Sequence, residues 1–110
     1  MIRFQCTVQE GYVPLELRGK LANSIEDCCL TVLGSSQGPV TVNWIEIPKG
    51  FGFRGGQPSS TSQVRGQIPD GGNPDTRALL LKKIGEEWCA ITGAGQDELI
   101  VSARDESWAG

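Results

Sequence analysis

Histidine is absent from this sequence, and its absence removes two kinds of chemistry at once. No imidazole is available to complete a zinc site or to activate a thiol. The four cysteines, Cys6, Cys28, Cys29 and Cys89, contain no C-x-x-C pair, so no metal-ligand pattern is present either. Long apolar runs are missing too, which excludes a signal peptide and a membrane span. The expectation is a protein with no membrane association in a reducing, cytoplasmic compartment, where thiols on helices pack as small apolar groups. Neither a metal nor a cofactor is implied. Basic residues are few, ten Lys and Arg against thirteen Asp and Glu for a net charge of −3, and they are scattered. No stripe of the kind a phosphate backbone requires is present, which excludes nucleic acid as a partner. Apolar content is low at 38% and points to a core shared in part between subunits. The length of 110 residues fits one domain, able to bury roughly two thirds of its unfolded surface.

What is present is a repeat at an offset of 60 residues. Ile2, Phe4, Cys6 and Val8 alternate with Arg3, Gln5 and Thr7, the period-two pattern of a strand with one buried face. In the second half Val64, Gly66 and Ile68 alternate with Gln63, Arg65 and Gln67. Pro14 and Pro74 match at the same offset, each suited to the first position of a helix. Leu17, Leu21, Ile25, Cys28 and Val32 form one helical stripe, and Leu81, Ile84, Trp88 and Ile91 the other. Gly34 and Gly93 serve as left-handed C-terminal caps, and Asn73 as an N-cap with Asp75 near the positive end of the helix dipole. Strands follow at Val40–Ile47 and at residues 99–103. The predicted fold is α/β (α+β), with β-α-β repeats at about 1–47 and 62–104 and a glycine-rich connector at 48–61. Right-handed crossovers make each half a parallel pair and place both helices on one face of a four-stranded sheet. The other face is left bare at Ile45, Ile47 and Ile100, and with Phe51 and Phe53 of the connector it suggests an association surface.

Individual motifs carry less. Gly50-Phe51-Gly52-Phe53-Arg54-Gly55 spells G-x-G-x-x-G after a strand, yet it runs into Gln57-Pro58-Ser59-Ser60-Thr61 rather than opening a helix. No helix N-terminus awaits a pyrophosphate, so a hairpin or subunit-bridging loop is expected instead. Cys28 and Cys29 have Trp88 and Cys89 as repeat mates, a symmetry that favours packing over nucleophilic catalysis. Glu46, Asp105 and Glu106 are candidate general bases, and Arg54, Arg65 and Arg104 a candidate anion site, each set against a plain solvated charge. Arg54 stands out because its glycine-rich loop is able to carry it into a neighbouring subunit's pocket.

Taken together these residues resemble the tautomerase superfamily. Val42-Asn43-Trp44-Ile45-Glu46-Ile47-Pro48 followed by Gly55-Gly56 is similar to the second strand and loop of the cis-3-chloroacrylic acid dehalogenase branch. Glu46-Ile47-Pro48-Lys49-Gly50-Phe51-Gly52 is similar to the corresponding stretch of 4-oxalocrotonate tautomerase, and Asp105-Glu106-Ser107-Trp108-Ala109-Gly110 looks like the family's closing Trp-x-Gly turn. The first 33 residues, Pro14 included, align with the dehalogenase branch without a gap. The resemblance implies a homotrimer or hexamer, or a hetero-oligomer with a proline-bearing paralogue, and a small organic acid as ligand.

The resemblance also implies an N-terminal proline, exposed by removal of the initiator methionine, as general base or acid. Here the chain begins Met1-Ile2, and a bulky second residue prevents that removal. Met1 is therefore the candidate catalytic group, through a primary amine that when neutral accepts a proton or forms an imine with a carbonyl. The alternative is a methionine plugging a dead pocket. The family's histidine late in the first helix corresponds to Cys28. Its two carboxylate-clamping arginines fall in Pro69-Asp70-Gly71-Gly72-Asn73, so Asp70 and Asn73 line the expected pocket with no guanidinium fork. An arginine on the second strand corresponds to Thr41, and an aromatic hydroxyl on the last strand to Ser102 or Ala103. Phe51 and Arg54 of the connector complete the candidate pocket. The implied function is weak, altered or absent tautomerase or dehalogenase activity on small oxo or unsaturated acids, or else a non-catalytic structural or ligand-binding member of such an oligomer.

Overall fold

In this structure, a computed structural model describing residues 1–108, β1 (Ile2–Gln9) leads through α1 (Leu15–Leu33) to β2 (Val40–Ile47). A short hairpin of β3 (Phe53–Arg54) and β4 (Gln57–Pro58) separates this half from β5 (Ser62–Ile68), α2 (Pro74–Thr92) and β6 (Leu99–Asp105). The four long strands lie in the order β2-β1-β5-β6. β1 runs parallel to β2, and β5 to β6, as two β-α-β units require. The halves meet along an antiparallel centre, where Arg3 stands opposite Gln67 and Gln5 opposite Arg65.

Alternation decides which face is covered. Ile2, Phe4, Cys6 and Val8 of β1 join Val64 and Ile68 of β5 in the core, packed with Leu21, Ile25, Cys28 and Cys29 of α1. From α2 come Leu80, Ile84 and Trp88, spaced i, i+4, i+8 along one row of the helix. The sequence stripe named Leu81 there; the structure buries Leu80 and leaves Leu81 half-buried. Neighbouring positions at a stripe's margin are nearly equivalent by period alone, and the row through Trp88 selects Leu80. Trp88 stacks on Trp44 of β2 with ring centroids 5.9 Å apart, a contact that ties the two repeats together across the layer.

The helix ends are locally encoded. Asn73 Oδ1 accepts the Asp75 N–H at 2.7 Å, Pro74 opens α2, and Gly93 closes it with φ +78° and ψ 3°. Pro14 instead occupies the cap position before Leu15, and Gly34 has φ +93° with an extended ψ of 156°, so the first helix is capped differently from the second. The G-x-G-x-x-G stretch folds as the β3–β4 hairpin, turning on Gly55 and Gly56 with φ +57° and +80°.

The uncovered face carries its exposed apolar residues at its edges. Ile45 and Ile100 are exposed, but they sit on the edge strands β2 and β6, and Ile47 is half-buried. The two central strands are polar on this face, with Arg3 and Gln5 on β1 and Arg65 and Gln67 on β5, and Arg104 extends the patch onto the edge strand β6. Among the described residues no helix is long and apolar enough to cross a membrane.

Candidate functional site

The start of β1 is held by the Ile2 N–H, which donates to the Pro39 carbonyl at 3.1 Å. Just before it, the Met1 ammonium stands 3.7 Å from the Glu106 carboxylate, both about half exposed. Arg3 Nε approaches the Met1 sulfur at 3.3 Å. The chain beyond β6 is tied down at the same end of the sheet: the Glu106 N–H donates to the Ile68 carbonyl at 2.8 Å, and the Ser107 N–H to Asp70 Oδ1 at 3.0 Å. Hydrogen bonds from the Ser107 side chain and then its backbone hold the Asp70 carboxyl below the ordinary range, so it is anionic at neutral pH. Asn73 spends its side-chain oxygen on the cap of α2. The two polar positions of the Pro69-to-Asn73 stretch thus serve as hydrogen-bond acceptors within the chain. Ala109 and Gly110 of the closing Trp-x-Gly segment lie outside the described residues.

The remaining candidates are dispersed. Cys28 opens on a groove of about 680 Å³ between the two helices, beside Lys83 and Glu87, on the helical side of the sheet. Burial first, and the Glu87 charge second, push its thiol up. Cys6 and Cys29 are pushed up to about 12 by burial. Such thiols are poor nucleophiles at neutral pH. Phe51 and Arg54 sit at the opposite end of β1 from Met1. There Gln9 Oε1 accepts the Gly50 N–H at 3.1 Å, and Gln9 Nε2 donates to the Ser59 carbonyl. Eight strand residues separate the two ends, about 25 Å at the rise of a β-strand. Arg54 donates to its own chain's Asp97 carbonyl and Phe51 is 71% exposed. Within one chain the connector therefore cannot border the Met1 end.

Thr41 and Ser102 project on the uncovered face, Thr41 opposite Arg3 and Ser102 opposite Arg65. Ser102 lines an open concavity of about 670 Å³ with Arg3, Arg65 and Arg104. Arg3 is missing from the sequence candidates, where Arg65 and Arg104 are grouped with Arg54 as a candidate anion site; the structure leaves Arg54 on the connector and puts Arg3 in its place. The signal that could have joined them is parity: each occupies the polar position of an alternating strand, so each faces away from the helices.

No protein-family profile matches the chain, and no curated protein sequence matches it. Solved structures do. The chain superimposes on native Ps01740 with a TM-score of 0.87 at 30% identity, covering 98% of each chain. The wild-type fused 4-OT symmetric trimer aligns with a TM-score of 0.83 at 16% identity, over 94% of this chain and 84% of that one. N1, a member of the cis-3-chloroacrylic acid dehalogenase family, aligns with a TM-score of 0.84 at 15% identity, over 94% of this chain and 73% of that one.

Proposed function

This chain belongs with Ps01740 in one family and has the tautomerase-superfamily fold, and on that premise we propose that it is a member with little or no classical oxo-acid tautomerase activity. One observation carries the proposal. The loop after β5 presents the anionic Asp70, bonded to Ser107, and the capping Asn73, where the resemblance calls for two guanidinium groups. A carboxylate at that place repels an acid substrate that arginines would attract. The Met1 amine adds to this, since its partner is a second carboxylate, Glu106. The half-exposed methionine side chain also occupies space that a proline ring would leave open.

The test has two parts. Intact mass establishes whether Met1 is retained, and borohydride reduction with a keto acid establishes whether its amine forms an imine. Phenylpyruvate enolisation is then followed for the unmodified chain and for Ile2→Pro with its methionine processed. We expect the unmodified chain to be indistinguishable from buffer. Rapid turnover by the unmodified chain would overturn the proposal.

We also propose that the chain works as a homotrimer. Support comes from the exposed Phe51 and Phe53 on the hairpin, the exposed Ile45 and Ile100 beside the two sheet edges, and the trimer formed by the fused 4-OT neighbour. Light scattering on the wild type and on Phe51→Ser with Phe53→Ser decides it: a trimer that falls to monomer on substitution is expected, and a monomeric wild type refutes it.

A further inference from the structure

Three arginines distant in sequence meet on the uncovered face. Arg3 and Arg104 flank Gln67 in one row across the sheet, two strand spacings or about 10 Å apart at the backbone. Arg65 lies on the strand between them, in the next row, with Gln5 on one side and Ser102 on the other. All three side chains are exposed, and among the described residues none is in an ion pair. The acids nearest in sequence are engaged elsewhere: Glu106 with the Met1 ammonium, Asp105 with Arg77 of α2. Among the described residues no carboxylate lines the concavity. In a chain of net charge −3, three cations gathered this closely repel one another.

We propose that this face binds a small, multiply charged oxyanion between Arg3, Arg65 and Arg104. The guanidinium group offers forked donors matched to oxyanions. Three of them in two rows suit an ion with several oxygens better than a monoanion. Gln67 stands between Arg3 and Arg104, and Asn43, Gln5 and Ser102 share the row of Arg65, all as further donors. Trp108 lies against Arg104, its ring centroid 5.7 Å from the guanidinium carbon, which restricts that side chain before any ion arrives. Phosphate and dicarboxylate share this chemistry. The site borders the Met1 end, Arg3 Nε lying 3.3 Å from the Met1 sulfur, but it is read by binding and not by turnover, so its failure leaves the activity proposal untouched.

Titration calorimetry on the whole chain at low salt tests it, with inorganic phosphate in one arm, malonate in another and sodium chloride at matched ionic strength as reference. We expect saturable heat in at least one of the first two arms, and the arm that responds identifies the source. Arg3→Gln, Arg65→Gln and Arg104→Gln should each weaken binding roughly threefold to fivefold, the scale of one exposed charge contact. Lys49→Gln removes the same charge from an exposed turn off this face and should change nothing. In the unsubstituted chain, amide resonances of Gln5, Gln67 and Ser102 should move on titration, which needs no variant to fold. Heats equal to chloride in both arms, equal losses in Lys49→Gln and Arg65→Gln, or shifts away from this face would overturn the proposal.

Discussion

Gly66 is the position at which a single added carbon tests the packing most directly. It lies on central strand β5 opposite Phe4, and a Cβ built on it would come within 2.6 Å of Phe4 Cζ. Carbon pairs sit at about 3.5–4.0 Å, so the overlap is about 1 Å. The Gly66 backbone is not in the left-handed region, so alanine meets no backbone strain there. Two effects compete in Gly66→Ala. Alanine restricts the unfolded chain and on that account stabilises by about 0.4–1 kcal/mol. Overpacking a filled core costs about 1–3 kcal/mol. Phe4 is 0% exposed and packed into the core cluster, so the second effect should prevail. The net loss is about 1–2 kcal/mol, which in a domain of this size lowers Tm by roughly 5–15 °C. Thermal melts by circular dichroism measure it, at one chain concentration because association couples to stability. Phe4→Leu shortens the ring, so the double variant should be more stable than the two single losses predict, by about 0.5 kcal/mol or more. A Gly66→Ala chain that melts at or above the wild type, or strictly additive losses, would refute the account of this contact.

Other consequences follow from groups already placed. Asn73→Ala removes the side-chain acceptor for the Asp75 N–H and should cost about 1 kcal/mol in urea denaturation; an unchanged midpoint would deny the cap its role. Asp70→Ala should speed hydrogen exchange at the Ser107 amide at neutral pH. In the wild type the same loosening should appear only as pH falls through the depressed value of Asp70, because that carboxyl holds the segment while ionised. The Cys6 and Cys29 thiols lie at about 12 against an ordinary 9.0. Unfolded thiols therefore lose their protons first, and stability should decline as pH climbs from 9 toward 12. Cys6→Ala should flatten part of that decline, and native protein at pH 8 should leave both thiols unmodified by a disulfide reagent.

Much of the architecture was legible because it is local. Alternation at Ile2 to Val8 and at Val64 to Ile68 identifies two strands, and the matching Pro14 and Pro74 mark two helix starts. Asn73 and Gly93 act through their own backbone neighbourhood, so their roles could be named in advance. Choices set by more than local pattern are less legible. Leu81 was read for Leu80, and Gly34 was assigned a left-handed cap it does not form, because stripe margins and chain exits are set by what the helix meets.

The candidate site was less legible than the fold, and the reason is distance along the chain. Arg3, Arg65 and Arg104 are separated by 62 and 39 positions along the chain. They become neighbours only because the halves join β1 to β5 antiparallel, a choice that β-α-β periodicity leaves open. Likewise the Met1 amine meets Glu106 only because β6 ends beside the end of β5, Ile68 lying opposite Asp105, and the antiparallel pairing sets that end next to the start of β1. The amino-acid order by itself determines which residues alternate, cap and turn, since those depend on bonds within a few residues. Which strands become neighbours, and hence which charges share a face, is decided by the burial of one common core, a property of the whole chain.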